Sequence, residues 1–123
     1  MPHTNTWEQD GLYRKFTGEI SGDEILESNY ELHVHPNFQD IKFIINDFTE
    51  ITGHSIEESY TKAYVISDDV ISIVKGKLKI ALVAIHDEHI ELANNYRNQM
   101  EDKRFECEIF KQLEDARKWV SND

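Results

Sequence analysis

Three of the six histidines in this sequence stand where they could bind a ligand or a metal ion. His54, His86 and His89 follow segments that we expect to be strands, so they should lie just beyond the carboxyl ends of parallel strands. Asp47 and Asp87 should lie nearby. Open α/β sheets bind ligands at this edge, and imidazole and carboxylate groups bind transition metals. The pattern predicts a ligand-binding edge formed by Asp47, His54, His86 and Asp87.

Other features of the histidines argue against a metal site. His33 and His35 come at the end of a predicted helix, so we expect them at the opposite edge of the sheet. The spacing of His86-Asp87-Glu88-His89 differs from that of the zinc proteases, whose two histidines are one helical turn apart with a glutamate between them. His89 also falls on an apolar helical stripe, where it could simply pack. We therefore expect no metal ion and no cofactor.

Ser55 is the residue that could carry a regulatory modification. It opens the run Ser55-Ile56-Glu57-Glu58, a capping box that predicts the start of a helix. A phosphate on Ser55 would meet the free amides and the positive end of the helix dipole, and it would present about two negative charges to a partner. The alternative is that Ser55 serves only as the N-cap of that helix.

Cys107 is the single cysteine, which excludes an intramolecular disulfide and favours a reducing cytoplasm. It alternates with Phe105 and Ile109 on one face of a predicted strand, beside Glu106 and Glu108. Burial and the two carboxylates should raise the pKa of the thiol and keep it from forming a reactive thiolate. We expect a small core residue and no nucleophile.

The charge of the chain restricts its partners. With 13 Lys and Arg against 24 Asp and Glu, the net charge is −11. Nucleic acids and anionic membranes bind clustered basic residues, so we expect neither of them as a partner. A polar N-terminus and short apolar runs predict neither a signal peptide nor a membrane span. A length of 123 residues without repeats or linkers predicts a single domain over residues 1–123.

The pattern of apolar residues predicts the elements that must position these side chains. Asp10-Gly11 is typical of a hairpin turn, and strand and helix patterns then alternate. The predicted strands are Thr6–Gln9, Leu12–Gly18, Ile41–Ile45, Leu78–Ile85 and Arg104–Phe110. The predicted helices run from about Gly22 to His33, from Ser55 to about Lys75, from Asp87 or Glu88 through Met100, and from Leu113 through Val120. Strands separated by helices pair in parallel, so the class is α/β, with a mixed, mostly parallel sheet of about five strands and four main helices.

Apolar residues surround more of the predicted second helix than one core contact requires. Ile66 and Ile73 flank its inward stripe, and Val65 points nearly opposite to it. Exposed apolar residues of this kind can form a surface for a protein partner or for a homodimer. Alternatively, the helix is covered on two sides within the monomer, or it breaks at Ser67–Asp69, which would rotate its second half.

The order of these segments resembles a known family. The residues that carry the resemblance lie between Trp7 and Val120 and are Asp10-Gly11, Gly18–Ser21, Ile44–Thr52, Leu78–Val83, Phe110 and Ala116–Val120. They are similar to the SpoIIAA-like group of STAS domains, whose fold group includes the CRAL-TRIO lipid-transfer domains. The resemblance implies a sheet of about five strands packed against helices, and a role without chemistry. Its better-known members are anti-sigma factor antagonists or regulatory modules switched by phosphorylation of the serine that corresponds to Ser55.

These observations rank three functions. The first is a non-catalytic regulatory or protein–protein interaction domain that resembles anti-sigma factor antagonists, acts through Ser55 and the second helix, and prefers a basic partner because the chain is acidic. The second is a protein that binds a small hydrophobic ligand or lipid at the carboxyl edge of the sheet. The third is a metal-dependent enzyme.

Overall fold

The computed structural model describes residues 3–122 and contains one five-stranded sheet in the order β1-β2-β3-β4-β5. The strands are β1 (His3–Trp7), β2 (Gly11–Ser21), β3 (Phe43–Ser55), β4 (Leu78–Val83) and β5 (Phe105–Phe110). β1 is antiparallel to β2, and all other neighbours are parallel. The predicted α/β class and the mixed, mostly parallel sheet are therefore confirmed.

Within residues 3–122, four helices and one short 3₁₀ turn connect or follow the strands. They are α1 (Gly22–His33), the 3₁₀ turn (Pro36–Asp40), α2 (Glu58–Lys75), α3 (Asp87–Gln99) and α4 (Leu113–Ser121). α2 packs between α1 and α3, whereas α4 packs separately on β3, β4 and β5. None of these helices is long and apolar enough to cross a membrane.

Alternation along the strands divides the core into two parts. On β2, Leu12 and Phe16 belong to the larger cluster, which α1, α2 and α3 cover, whereas Tyr13 packs against the smaller cluster beneath α4. The fully buried members of the smaller cluster are Ile45, Ala81, Val83 and Ala116. Because successive side chains point to opposite faces of a strand, Arg14 lies on the same face as Leu12 and Phe16. The sheet therefore directs a charged side chain under the three helices.

β3 is much longer than the predicted strand Ile41–Ile45, since it runs over Phe43–Ser55. Its polar second half pairs in parallel with the second half of β2, where Ile20 lies opposite His54. Backbone pairing with the neighbouring strand therefore outweighs the weak strand preference of the side chains. The pairing of β3 with β4 ends where Asp47 lies opposite Val83, so β2 and β3 continue beyond β4 as a two-stranded extension.

The length of β3 overturns the predicted start of the second helix. Ser55 is the last residue of β3, and α2 begins at Glu58 with Glu57 as its N-cap, without a side-chain capping bond. The capping box predicted over Ser55–Glu58 is therefore wrong. The break at Ser67–Asp69, which the sequence left open as an alternative, is absent, because α2 is continuous from Glu58 to Lys75.

Other boundaries differ by a few residues. β1 covers His3–Trp7 and not Thr6–Gln9, because the hairpin turn takes residues 8–11, where the Glu8 amide donates to the Gly11 carbonyl at 2.8 Å. β4 ends at Val83, two residues before the predicted Ile85. By contrast, α1 has its predicted bounds, with Ser21 accepting a hydrogen bond from the Glu24 amide at 3.2 Å.

The first turn of α1 is held directly against α2. The hydroxyl of Tyr64 donates to the Gly22 carbonyl at 2.8 Å, and the ring of Tyr60 lies over Gly22. A Cβ added at Gly22 would come within 2.4 Å of that ring. Only a glycine therefore lets the two helices approach so closely.

We predict that Gly22→Ala lowers the free energy of unfolding by about 1–3 kcal/mol, since the Tyr60 ring must move to admit a methyl group. Gly53→Ala is the matched control, because its added Cβ would meet only Glu19, at an ordinary 3.7 Å. Urea titration of both variants measures the difference. Equal stabilities would contradict the close packing of α1 on α2.

Candidate functional site

A buried arginine lies at the centre of the space between the sheet and α1, α2 and α3. The side chain of Arg14 is 3% exposed. Its Nε donates to Asn46 Oδ1 at 2.8 Å, Nη1 donates to Ser28 Oγ at 3.1 Å, and Nη2 donates to Asn29 Oδ1 at 2.8 Å. Asn46 belongs to β3 and the other two acceptors belong to α1, so the guanidinium ties β2 to both elements.

A buried carboxylate balances the charge of this arginine. Asp68, on α2, accepts a hydrogen bond from the Tyr96 hydroxyl of α3, and its other oxygen lies 3.3 Å from Nε2 of His33. Burial lowers the pKa of Arg14 to about 10, while Asp68 acts in the opposite direction. Arg14 therefore keeps its positive charge at neutral pH. Burial and then Asp68 raise the pKa of Tyr96 well above its usual value, so its phenol remains a donor.

These polar groups face a cavity of about 100 Å³. Its walls are otherwise mainly apolar and include Phe16, Ile25, Leu32, Ile44, Leu82 and Ala93. One water needs about 10–15 Å³ of such space, and an apolar cavity of about 150 Å³ holds benzene. The cavity can therefore admit several waters or one small molecule.

Three histidines meet at one end of the same space. The ring of His89, at the start of α3, lies 5.4 Å from the ring of His54 and 5.3 Å from that of His86, measured between centroids. His89 is 6% exposed, and neither of its ring nitrogens makes a hydrogen bond within residues 3–122. Burial, followed by the neighbouring His54, lowers the pKa of His89. The neutral form of His89 is therefore favoured, and a neutral imidazole has one nitrogen lone pair that can bind a ligand.

The two aspartates expected at this edge do not join the histidines. Asp47 follows Asn46 on β3 and so points to the opposite face, where it accepts hydrogen bonds from Tyr13 and Thr49. Asp87 is exposed at the first position of α3. Glu88 takes their place, because one ligand atom each of His54, Glu88 and His89 lie within 4.8 Å of one another.

The outer face of α2 carries an exposed apolar surface, although its membership differs from the prediction. Ile66 and Ile73 are exposed, but Val65 is buried and cannot contribute. The helix turns Val65 toward α1 and α3, which cover both of its flanks. Val70 and Val74 are exposed as well. We call Ile66, Val70, Ile73 and Val74 the outer α2 stripe.

Ser55 and Cys107 occupy positions that affect their proposed roles differently. Ser55 is exposed at the end of β3, three residues before the first residue of α2. A phosphate there would not cap the first turn of the helix, and modification of Ser55 stays a prediction. Burial, followed by Glu108, raises the pKa of Cys107 to about 12, as the strand pattern indicated.

The sequence interpretation missed the Arg14 cluster, although a signal was present. Arg14 interrupts the apolar alternation of Leu12 and Phe16, and Asp68 follows Tyr64 by one helical turn on an inward stripe. A charged residue at a core-facing position needs a buried partner. Arg14 and Asp68 have opposite charges and both occupy core-facing positions, so the sequence alone could have predicted that they lie near each other.

Comparison with known proteins supports the fold. The chain is similar to an uncharacterized protein of the DUF3478 family with a SpoIIAA-like fold, from Shewanella loihica PV-4, with a TM-score of 0.53. The match covers 96% of this chain and 91% of that chain at 17% sequence identity. The predicted SpoIIAA-like fold is thereby confirmed, while likeness at this identity indicates nothing about activity. No family model and no curated protein matches the chain.

We predict that Tyr96→Phe lowers the free energy of unfolding by about 1–3 kcal/mol, because buried Asp68 loses a hydrogen-bond donor. Tyr30→Phe is the control, since Tyr30 is 52% exposed. Its effect should stay within about 0.5 kcal/mol. Chemical denaturation compares the two variants, and a Tyr96→Phe protein as stable as Tyr30→Phe would contradict the buried network.

Proposed function

We propose that this protein is a non-catalytic binding domain that holds a small organic carboxylate in the cavity beside Arg14. The observation that carries the proposal is a charged, hydrogen-bonded side chain facing a cavity with apolar walls. Concave, mainly apolar sites with a few convergent polar groups are typical of small-molecule binding.

The hydrogen bonds of Arg14 define the head group of the ligand. A guanidinium has five N–H groups, and three of them are engaged by Asn46, Ser28 and Asn29. One N–H on each terminal nitrogen remains, and the oxygens of a carboxylate can accept both of these donors. Asp68 does not compete for them, because its oxygens accept from Tyr96 and face His33.

The walls define the rest of the ligand. Phe16, Ile44 and Leu82 surround the cavity with aliphatic and aromatic carbon, so the ligand should carry an apolar chain. A volume of about 100 Å³ limits that chain to a few carbons. This size fits a short-chain carboxylate and not the long-chain lipid that the sequence left as an alternative.

The test is the thermal stability of the protein with acetate, butyrate, hexanoate and octanoate, and with butylamine as the cationic control. We expect the greatest stabilisation with butyrate or hexanoate. A ligand at one hundred times its dissociation constant should add about 2.7 kcal/mol. Octanoate should have less effect because its chain exceeds the cavity, and butylamine should have none because an ammonium group has no acceptor for the N–H groups of Arg14.

Replacing either of two buried alanines with leucine makes this test specific to the cavity. Ala93 lines the cavity, so Ala93→Leu should fill it, remove the effect of butyrate and leave the stability within about 1 kcal/mol of the parent. Ala116 is 0% exposed in the packed cluster under α4, so Ala116→Leu should cost about 1–3 kcal/mol and keep the effect of butyrate. Stabilisation by butyrate that survives Ala93→Leu, or no stabilisation by any acid, would overturn the proposal.

The outer α2 stripe favours a second function, the docking of a basic protein partner. Its residues recur at helical spacing on one exposed face. Helix α1, which packs against α2, exposes Asp23, Glu27 and Glu31. An apolar face next to an acidic helix complements a partner helix that carries leucines flanked by lysines. This is the regulatory interaction that the fold resemblance implies, without a role for Ser55.

A synthetic amphipathic peptide of leucine and lysine tests this surface. We predict that Ile73→Asp weakens its binding at least tenfold, measured by fluorescence anisotropy, because a carboxylate would be buried in the contact. Ile85→Asp is the control, since Ile85 is also exposed but lies outside α2. Equal binding by both variants would contradict docking on α2. Self-association in sedimentation experiments that Ile73→Asp abolishes would identify a second copy as the occupant instead.

A further inference from the structure

We infer that His54, Glu88 and His89 form a binding site for a divalent transition-metal ion. The three residues come from two elements that the fold brings together: the end of β3 supplies His54, and the first turn of α3 supplies Glu88 and His89. One ligand atom from each lies within 4.8 Å of the others. Two imidazoles and a carboxylate form a set that suits zinc and similar ions.

The geometry of Glu88 and His89 already fits a shared ion. Nε2 of His89 lies 3.7 Å from Oε1 of Glu88, which is too far for a hydrogen bond. Zinc binds nitrogen and carboxylate oxygen at about 2.0–2.2 Å, so two ligands of one ion can be separated by this distance. The Glu88 side chain is 72% exposed and free to adjust.

The burial of His89 is the independent observation that points to a ligand. Its ring is more than nine-tenths buried, and both nitrogens lack a hydrogen-bond partner within the described residues. A buried polar group without a hydrogen-bond partner destabilises the folded protein, because it has lost its bonds to water. Coordination through Nε2 would remove part of this cost. Packing alone does not explain a histidine here, because leucine or phenylalanine would fill the same position without the penalty.

Binding requires one change at His54. Its Nδ1 accepts a hydrogen bond from the Ile56 amide at 3.3 Å, which leaves the proton of the neutral ring on Nε2. A metal ion needs a free lone pair. Either Nδ1 binds the ion, or the proton moves to Nδ1 and Nε2 binds; in both cases Nδ1 gives up this long hydrogen bond. The exposed ring of His86 meets that of His89 edge-on, and water can supply the fourth ligand.

The site does not rest on the proposed carboxylate binding. His54 and His89 line one end of the same cavity, but Arg14 and its partners take no part in coordination. Thermal stabilisation by butyrate in the presence of a chelator tests the proposed function alone. Metal binding without any carboxylate tests this inference alone, so the two can fail separately.

The experiment is a titration of the tag-free, chelator-treated protein with Co²⁺, followed by visible absorption, with Zn²⁺ as competitor. We expect one Co²⁺ per chain, intense bands of a tetrahedral site, and loss of those bands when Zn²⁺ is added. Glu88→Gln should weaken Co²⁺ binding at least tenfold. Substitution of residues that only hydrogen-bond to metal ligands already lowers metal affinity by that factor. Glu91→Gln is the matched control, because Glu91 is exposed on the same helix and is not a ligand.

Two results would overturn the inference. The first is the absence of tetrahedral bands at Co²⁺ concentrations well above that of the protein. The second is equal affinity in Glu88→Gln and Glu91→Gln, which would place the ion elsewhere. His89→Leu provides a further measurement: its far-UV circular dichroism reports whether it folds, and a folded His89→Leu protein that still gives the bands would also contradict the site.

Discussion

The need to surround a buried guanidinium with hydrogen-bond acceptors is the constraint on which the interior depends. Taking an ion out of water costs several kcal/mol even after the protein relaxes. The acceptors of Arg14 come from β3 and from two successive positions of α1, so the register of β2 on β3 and the rotation of α1 must agree. Polar groups that are held in this way cannot move into the adjoining space. A cavity therefore remains beside them where an apolar core would have closed.

The order of the strands explains why this cavity lies on one face. Neighbours in the sheet are also neighbours in sequence, and right-handed connections between successive parallel strands place their helices on the same side. α1, α2 and α3 thus cover one face together, while α4 covers only part of the other. The extension of β2 and β3 past the end of β4 brings His54 to the start of α3. One feature of the topology therefore shapes both the arginine-lined cavity and the histidine-lined end.

Much of this architecture was predictable from local patterns. The hairpin turn over residues 8–11 and the Ser21 cap of α1 form from contacts close in sequence, and the nearly continuous apolar run of β4 is by itself typical of a buried strand. The second half of β3 has no such local signal. Residues 46–55 have the polar composition of a loop and are extended because β2 pairs with them. Because β3 extends to Ser55, α2 begins only at Glu58, and Ser55 does not cap the helix as predicted.

The sequence by itself determined the α/β class, the alternation of helices and strands, and the placement of Cys107 on the strand face that it shares with Phe105 and Ile109. Periodicity decides such features, since it dictates which residues share a face or an edge. Only the tertiary structure decided that Asp47 faces away while Glu88 faces His54, that Val65 is covered while Val74 is not, and that Asp68 and Tyr96 meet behind Arg14. These contacts join residues from separate elements, and their distances depend on how the helices pack over the sheet, which no local pattern records.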